Sequence, residues 1–352
     1  MTNSSRAMWR RPALTRAAAS LTLSATLIAG AATTALHAEE WRVLVGAESG
    51  HRGSQALAFL PNELWVHAGD TIRFTFPTHE RHTLTLLRPG QTRPPGFGPI
   101  FGVVVGCPGT TPDGSSFDNS ACVSTGVMRL DDSQTAADAA SYSVAFPSAG
   151  NFKFVCLLHA DMTGLVHVLD PAATLPHDQD FYDRQAHRAE AALLDEASRA
   201  RDRAPDDGDA PGSVAAGIGA VVTMTGAGSQ TASLMRFDRK VVVVGVGDTV
   251  EWASLDPSIN HTVTFGAEPA DPRPASPGVV PTSDGARQAV INSPSDSVNS
   301  GFLTPAPQDR ANLAQSAPGV TRFRVTFTSP GTYEYICAIH DELGMNGTVI
   351  VR

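Results

Sequence analysis

Two stretches of this chain carry the same residues at the same internal spacing, and this repeat limits what the chain can fold into. The stretch from Phe59 through Gly69-Asp70-Thr71 recurs as Phe237 through Gly247-Asp248-Thr249. Self-similarity of this kind indicates one structural unit that is used twice. The 352 residues are enough for two domains of ordinary size and a connector.

The matched positions continue through the second part of each copy. Both copies contain a His-Thr pair, then a Phe, Gly, Cys and His series with identical spacing, and both close with Met-x-Gly-x-Val. A single Cys or Met is usually a core residue, but the joint recurrence of these types favours a shared chemical role. The positions are His82, Cys156, His159 and Met162 in the first copy and His261, Cys337, His340 and Met345 in the second.

Period-two alternation predicts β-strands in both copies. Tyr142–Phe146 and Phe323–Phe327 alternate apolar and polar side chains, as half-buried strands do. Turn residues such as Ser329-Pro330-Gly331 separate these runs. We therefore predict an all-β fold of two tandem Greek-key β-sandwiches. Two insertions rich in Pro, Gly and Ser, at about 87–140 and 266–315, are predicted to be extended loops.

The segment between the copies predicts a helical connector. From Asp178 to about Ala204 it is rich in Ala, Arg, Asp and Glu, with apolar residues roughly on one helical face. A flexible tether follows, up to Gly212. The predicted organisation is an export signal at 1–38, a first domain at 39–170, the connector at 171–212 and a second domain at 213–352.

The N-terminal segment is typical of an export signal. It carries four arginines and no acidic residue, followed by the apolar, small-residue run Ala17–Leu36. An uncleaved membrane anchor is the alternative. Arg10-Arg11 leaves both the general and the twin-arginine routes open. We expect a periplasmic or extracellular protein.

Two of the four cysteines, Cys107 and Cys122, lie among turn residues in the first insertion. In an oxidising compartment the expected state is a disulfide that staples this loop, and two unpaired thiols are the alternative.

The other two cysteines, Cys156 and Cys337, are candidate metal ligands. The first copy reads Cys156-x2-His159-x2-Met162 and the second Cys337-x2-His340-x4-Met345. With the earlier histidine, each copy offers two imidazoles, a thiolate and a thioether, which is the ligand set of a mononuclear type 1 copper site. Sulfur donors suit the cuprous ion and imidazoles the cupric ion, so such a site favours one-electron transfer. We predict two copper ions per chain, one in each copy.

Longer motifs resemble the cupredoxins of the plastocyanin/azurin family. They are Phe-x-Pro-x-x-Leu-x-Val-x-x-Gly-Asp-Thr at 59–71, Pro-Gly-Thr-Tyr-x-Tyr-x-Cys at 330–337 and Gly-Met-x-Gly at 344–347. The second ligand loop is similar to that of plastocyanin and the first to that of amicyanin. The resemblance implies an electron carrier in which His159 and His340 are the exit ligands, the ligands through which an electron leaves each site.

Two features of the ligand loops bear on this resemblance. Thr83 and Thr262 stand where plastocyanins usually have Asn, so the hydrogen bonds that tie the ligand loops together must differ. The apolar neighbours Leu157-Leu158 and Ala338-Ile339, with Leu343, form either a hydrophobic docking patch or a cap on the sandwich.

The formal net charge is −9, and loss of the four N-terminal arginines would make it −13. Nucleic acid is therefore not expected as a partner. The acidic surface favours a basic redox partner, such as a cytochrome or a copper enzyme, or it simply keeps the protein soluble. A membrane contact is expected only if the signal is retained.

We predict an electron carrier and not an enzyme, and two alternatives stay open. A nitrite reductase or multicopper oxidase would need a second kind of copper site, but the sequence has no His-x-His pair or His-Cys-His element. His51, His67 and His79 are the spare histidines that a subunit-interface site could use. Copper storage or delivery would use labile Met or His clusters, yet the seven methionines do not cluster.

Overall fold

The computed structural model describes residues 38–91, 110–159, 161–203, 212–222, 229–256, 259–304 and 320–352. Residues Ala38–Arg352 form one compact unit. The predicted export signal, apart from Ala38, and Cys107 lie outside the described residues. The signal, the Cys107–Cys122 disulfide and the two domain boundaries therefore stay predictions.

The first half is a two-layered β-sandwich. Strands β1, β2, β4, β6 and β8 lie in one sheet, and β3, β5, β7, β9 and β10 in the other. Phe154 of the second sheet packs edge-on against Phe59 and Phe74 of the first, with ring centroids 4.8 and 5.4 Å apart. The strands are β1 (Glu40–Glu48), β2 (Ser54–Leu60), β3 (Glu63–His67), β4 (Thr71–Thr75), β5 (Thr85–Leu86), β6 (Ser115–Ser116), β7 (Val123–Ser124), β8 (Ser141–Ala145), β9 (Gly150–Val155) and β10 (Thr163–Leu169).

The second half repeats this arrangement. Its core centres on Trp252, whose ring meets those of Phe265 and Tyr335 in the facing sheet at 5.7 and 5.2 Å. The strands are β11 (Ser213–Val222), β12 (Gln230–Phe237), β13 (Val241–Val244), β14 (Thr249–Leu255), β15 (Thr264–Phe265), β16 (Val280–Pro281), β17 (Arg287–Ile291), β18 (Val298–Asn299), β19 (Arg322–Phe327), β20 (Gly331–Ile336) and β21 (Asn346–Val351). The predicted all-β sandwich fold is confirmed.

The two halves share one sheet. Strand β2 pairs antiparallel with β12, with Leu57 opposite Thr231 and Ser54 opposite Leu234. The result is an eleven-stranded sheet in the order β16-β17-β19-β14-β11-β12-β2-β1-β4-β8-β6. This pairing covers an edge of each half that would otherwise present unpaired backbone groups.

The predicted connecting helix is present as α1 (Gln179–Arg203). Asp178 caps it by accepting the Phe181 N–H at 2.8 Å. Ala189, Leu193 and Ala197 are buried in a cluster of mostly alanine and leucine side chains contributed by β1, β2 and β12, so the helix covers the joint between the halves. No helix in the described part of the chain combines the length and apolar character needed to cross a membrane.

The insertions differ from the predicted extended loops, because short strands form in both. The first contains β6 and β7, and the second contains β16, β17 and β18. Strand β17 buries Ala289 and Ile291 on alternate positions and pairs parallel with β19, so its apolar alternation outweighs the turn-rich composition around it.

Candidate metal centres

The sandwich brings together ligand candidates that are far apart in sequence. His82 lies between β4 and β5, and Cys156 directly follows β9. Because β5 pairs with β9, with Thr85 opposite Val155, the histidine and the cysteine become neighbours. The second half repeats this placement, with Thr264 of β15 opposite Ile336 of β20.

In the first half, His82, Cys156 and His159 form a buried cluster. Their candidate ligand atoms lie within 4.8 Å of one another. Cys156 Sγ is 3.5 Å from His159 Nδ1. Cys156 and His82 have no exposed surface, and His159 is 2% exposed.

In the second half, His261, Cys337 and His340 form the matching cluster, again within 4.8 Å. Cys337 Sγ is 3.4 Å from His340 Nδ1 and 3.9 Å from His261 Nδ1, and the two Nδ1 atoms are 3.2 Å apart. These are the only such clusters within the described ranges. The spare histidines are elsewhere: His79 pairs with Glu48, and His67 contacts the Ala173 carbonyl.

In each half, a backbone hydrogen bond joins the methionine to the cysteine at the start of the same loop. The Cys156 amide donates to the Met162 carbonyl at 3.0 Å, and the Cys337 amide to the Met345 carbonyl at 3.0 Å. Both methionines are fully buried in the same apolar core as their cysteine.

The two threonines connect the ligand strand to the ligand loop. Thr83 Oγ1 accepts the Leu157 N–H at 2.8 Å, while its own amide points at Cys156 Sγ at 3.4 Å. Thr262 makes the same two contacts with Ala338 and the Cys337 sulfur, at 2.8 and 3.3 Å. The departure from Asn therefore preserves a tie between the two segments in both halves.

A glycine lies against the first histidine of each cluster. Gly46 (φ +80°) and Gly217 (φ +71°) each stand at a bulge in the first strand of their half. A Cβ at Gly46 would lie 2.5 Å from His82 Nε2, and one at Gly217 2.1 Å from His261 Nε2. Sequence reasoning missed both, although an isolated glycine inside a strand pattern signals a bulge or a close approach.

The surroundings of the two first histidines differ. Neither ring nitrogen of the buried His82 has a hydrogen-bond partner among the described residues. His261 Nε2 instead lies 3.4 Å from Asp256 Oδ2, and that carboxylate also accepts a short hydrogen bond from Ser233.

The buried cysteines and histidines of the clusters shift each other's pKa. Burial alone would raise the pKa of Cys156, but the charge of His159 lowers it well below its usual value. Burial would lower the pKa of His159, but the Cys156 charge raises it to about 10. Burial would likewise lower the pKa of His261, but hydrogen bonds with Asp256 and Cys337 raise it to about 9. A metal cation can replace these protons, since it satisfies the same thiolates.

Glu80 and Arg81, directly before His82, reach the second half. Arg81 pairs with Glu342 at 2.9 Å and donates to the Ile339 carbonyl at 2.6 Å. The Glu80 side chain is buried beside His159 and His340. Burial would raise the pKa of Glu80, but the nearby histidines, His340 foremost, lower it below its usual range. Sequence reasoning missed both residues; their only signal is a charged pair before the first ligand.

The exit-ligand expectation needs correction. His159 and His340 are each only 2% exposed, because they face each other's half. Leu157, Ala338, Ile339 and Leu343 are also buried. Leu343 packs into the core cluster of the first half and Leu157 against Cys122 and Val155, whereas Leu158 is partly buried. Within the described residues these side chains therefore cap the sandwiches instead of forming a free docking patch.

A copper ion fits the residues present. Two nitrogens and a sulfur converge in each cluster, and each glycine leaves room for a histidine ring. The buried ring nitrogens of His82 have no hydrogen-bond partner in the described part of the chain. Imidazole with thiolate, and a thioether at the same core, is the donor set of type 1 copper.

Residues 222–352 match the family model described as copper binding proteins, plastocyanin/azurin family. No curated protein matches the chain. Oxidised plastocyanin from Dryopteris crassirhizoma is 19% identical, covering 40% of this chain and 99% of its own, with a TM-score of 0.20. Auracyanin A, a blue copper protein from Chloroflexus aurantiacus, is 17% identical, covering 37% of this chain and 98% of its own, with a TM-score of 0.25. A reduced amicyanin mutant is 18% identical, covering 37% of this chain and 82% of its own, with a TM-score of 0.22.

The family match confirms the predicted cupredoxin resemblance and copper-binding class for the second half. The first half repeats the strand order of the second, with β3-β10-β9-β5-β7 corresponding to β13-β21-β20-β15-β18.

Proposed function

We propose that this protein is a copper electron carrier with one mononuclear type 1 site in each of two cupredoxin domains, 39–170 and 213–352. The observation that carries the proposal is the pair of buried clusters of two histidines and a cysteine at matched positions. The ligands would be His82, Cys156, His159 and Met162 in one site, and His261, Cys337, His340 and Met345 in the other. Bound copper would supply a centre that gains and loses one electron while it stays in place.

The protein's own groups prepare this chemistry. Each cluster is buried, so water is excluded from the ligands. The threonine hydrogen bonds hold the ligand strand and ligand loop at a fixed distance, and a rigid ligand set needs little rearrangement when the metal changes charge. The neighbouring histidines lower the pKa of both cysteines well below its usual value, which favours the thiolate form that metal binding requires.

We further propose that the chain is exported to the periplasm or beyond, with residues 1–38 as the signal and a Cys107–Cys122 disulfide. It would exchange electrons with other redox proteins. The formal charge of −9 supports a partner with a basic surface.

Copper analysis with visible and spin-resonance spectra tests the proposal on the purified protein and on Cys156→Ser and Cys337→Ser. We expect two coppers per chain with thiolate-to-copper charge-transfer absorption, and the loss of one centre in each variant. An undiminished band in either variant would remove that cysteine from the scheme.

A chelator experiment separates electron transfer from copper storage. The loaded protein is reduced with ascorbate in the presence of a mild copper(I) chelator and then reoxidised. A carrier retains both ions and recovers its full spectrum. Release of the metal on reduction would contradict the proposal.

A further inference from the structure

Glu80 lies between the two candidate metal centres, although it belongs to the first half. Its side chain is 3% exposed. Oε1 lies 3.3 Å from His159 Nε2, and Oε2 lies 3.5 Å from His340 Nε2. One buried carboxylate therefore faces one ligand candidate of each centre.

Each of these imidazoles directs its two nitrogens to different groups. His159 Nδ1 lies 3.5 Å from the Cys156 sulfur, and His340 Nδ1 lies 3.4 Å from the Cys337 sulfur. Nε2 is thus left for Glu80. A carboxylate that accepts the second ring N–H of a ligand histidine fixes its tautomer and orientation and makes the other nitrogen a stronger donor.

Water has little access to this carboxylate. The cavity that Glu80 lines with Leu158, Ile259 and Ile339 has a volume of about 20 Å³, which is room for a single water molecule. A buried carboxylate needs hydrogen-bonded or cationic partners. Oε2 accepts no regular hydrogen bond within the described residues, so His340 Nε2 is the donor that it faces.

Arg81 holds this segment against the second half. Its guanidinium donates to the Ile339 carbonyl at 2.6 Å and pairs with Glu342 at 2.9 Å. Arg129 pairs with the same Glu342 at 2.7 Å. Because Ile339 precedes His340 directly, these contacts fix the second ligand loop relative to Glu80.

We propose that Glu80 is a shared positioning residue of both centres and the link through which they exchange electrons, an inference that rests on the proposed function. In this exchange one electron leaves the reduced centre, which becomes oxidised, and reaches the oxidised centre, which becomes reduced. No bond forms or breaks, and both Nε2 protons stay on their imidazoles. A partner that docks near one centre can then reach both.

The first test measures copper affinity for each centre separately, in Cys337→Ser for the first centre and in Cys156→Ser for the second. Glu80→Leu is expected to weaken binding about 10- to 100-fold in both backgrounds, because it removes the carboxylate that faces both ligand imidazoles. Glu63→Gln alters a carboxylate that pairs at 3.0 Å with His167, a histidine outside both centres, and is expected to leave both affinities unchanged. A loss at only one centre, or at neither, would overturn the proposal.

A measurement on the unaltered sequence covers the case in which the leucine variant does not fold. Nitrogen NMR of the zinc-loaded protein reports which ring nitrogen of each histidine carries the proton. His159 and His340 are both expected to be protonated at Nε2 and to exchange slowly with solvent. Rapid exchange at either ring would overturn the shared hydrogen-bonding role.

The electron link is tested by reducing one centre with a short pulse and following re-equilibration between the two. Glu80→Leu is expected to slow this exchange about tenfold or more relative to Glu63→Gln. An unchanged rate would overturn the link. If the cysteine variants keep all their copper, the proposed function fails. If each cysteine variant loses one copper but Glu80→Leu changes neither copper affinity nor the exchange rate, only this inference fails.

Discussion

Replacing Thr83 by valine tests the tie between ligand strand and ligand loop. The substitution keeps the side-chain shape and removes one acceptor, so the Leu157 N–H, 2.8 Å from Oγ1, loses its partner. Thr83 and Leu157 are 1% and 4% exposed, so water cannot replace the hydroxyl without rearrangement. A buried donor left without a partner costs about 1–3 kcal/mol. We expect Thr83→Val to lower the free energy of unfolding of the metal-free protein by that amount.

Chemical denaturation followed by tryptophan fluorescence and circular dichroism is the assay, with agreement between the two probes as the check on a single transition. Thr83→Ser retains the acceptor and is the matched control. A valine variant within about 0.5 kcal/mol of the native protein, the range of neutral surface substitutions, would refute the assigned hydrogen bond.

Three further predictions concern the centres themselves. Gly46→Ala places a Cβ against His82 and strains a positive φ, so copper per chain should fall from two to one; two retained ions would contradict the close approach. His159, with its pKa raised to about 10, is protonated at neutral pH before metal binds, so copper affinity at this centre should rise up to about tenfold per pH unit until about pH 10. Calorimetry in buffers of different ionisation enthalpy should detect the released proton, and a pH-independent copper affinity would contradict this prediction. Asp256→Asn removes a negative charge beside His261, so the reduction potential of the second centre should rise; spectroelectrochemistry in the Cys156→Ser background measures it, and an unchanged or lower potential would contradict the assignment.

The sequence predicted which histidines and cysteines lie close together, because the repeat shows which residues occupy matched positions. Matched spacing around Cys156 and Cys337 needs no knowledge of strand partners, and the family motifs supply the fold. The connecting helix could also be predicted, because the apolar face with Ala189 and Leu193 is a pattern within the segment itself.

The joint between the halves was not predictable, because it depends on non-local contacts. Strand β2 is buried along its whole length, since α1 covers the face that alternation would leave to solvent. Its pairing with β12 leaves no mark in either strand's own pattern. The same holds for Glu80: its charge suggests a surface residue, and only the docking of the second half buries it between two histidines.

Diffraction from crystals of the copper-loaded protein, recorded on both sides of the copper absorption edge, tests the central claim most directly. The account predicts two anomalous peaks per chain, one enclosed by His82, Cys156, His159 and Met162, the other by His261, Cys337, His340 and Met345. A peak outside these quartets, or a quartet without one in fully loaded protein, would contradict it.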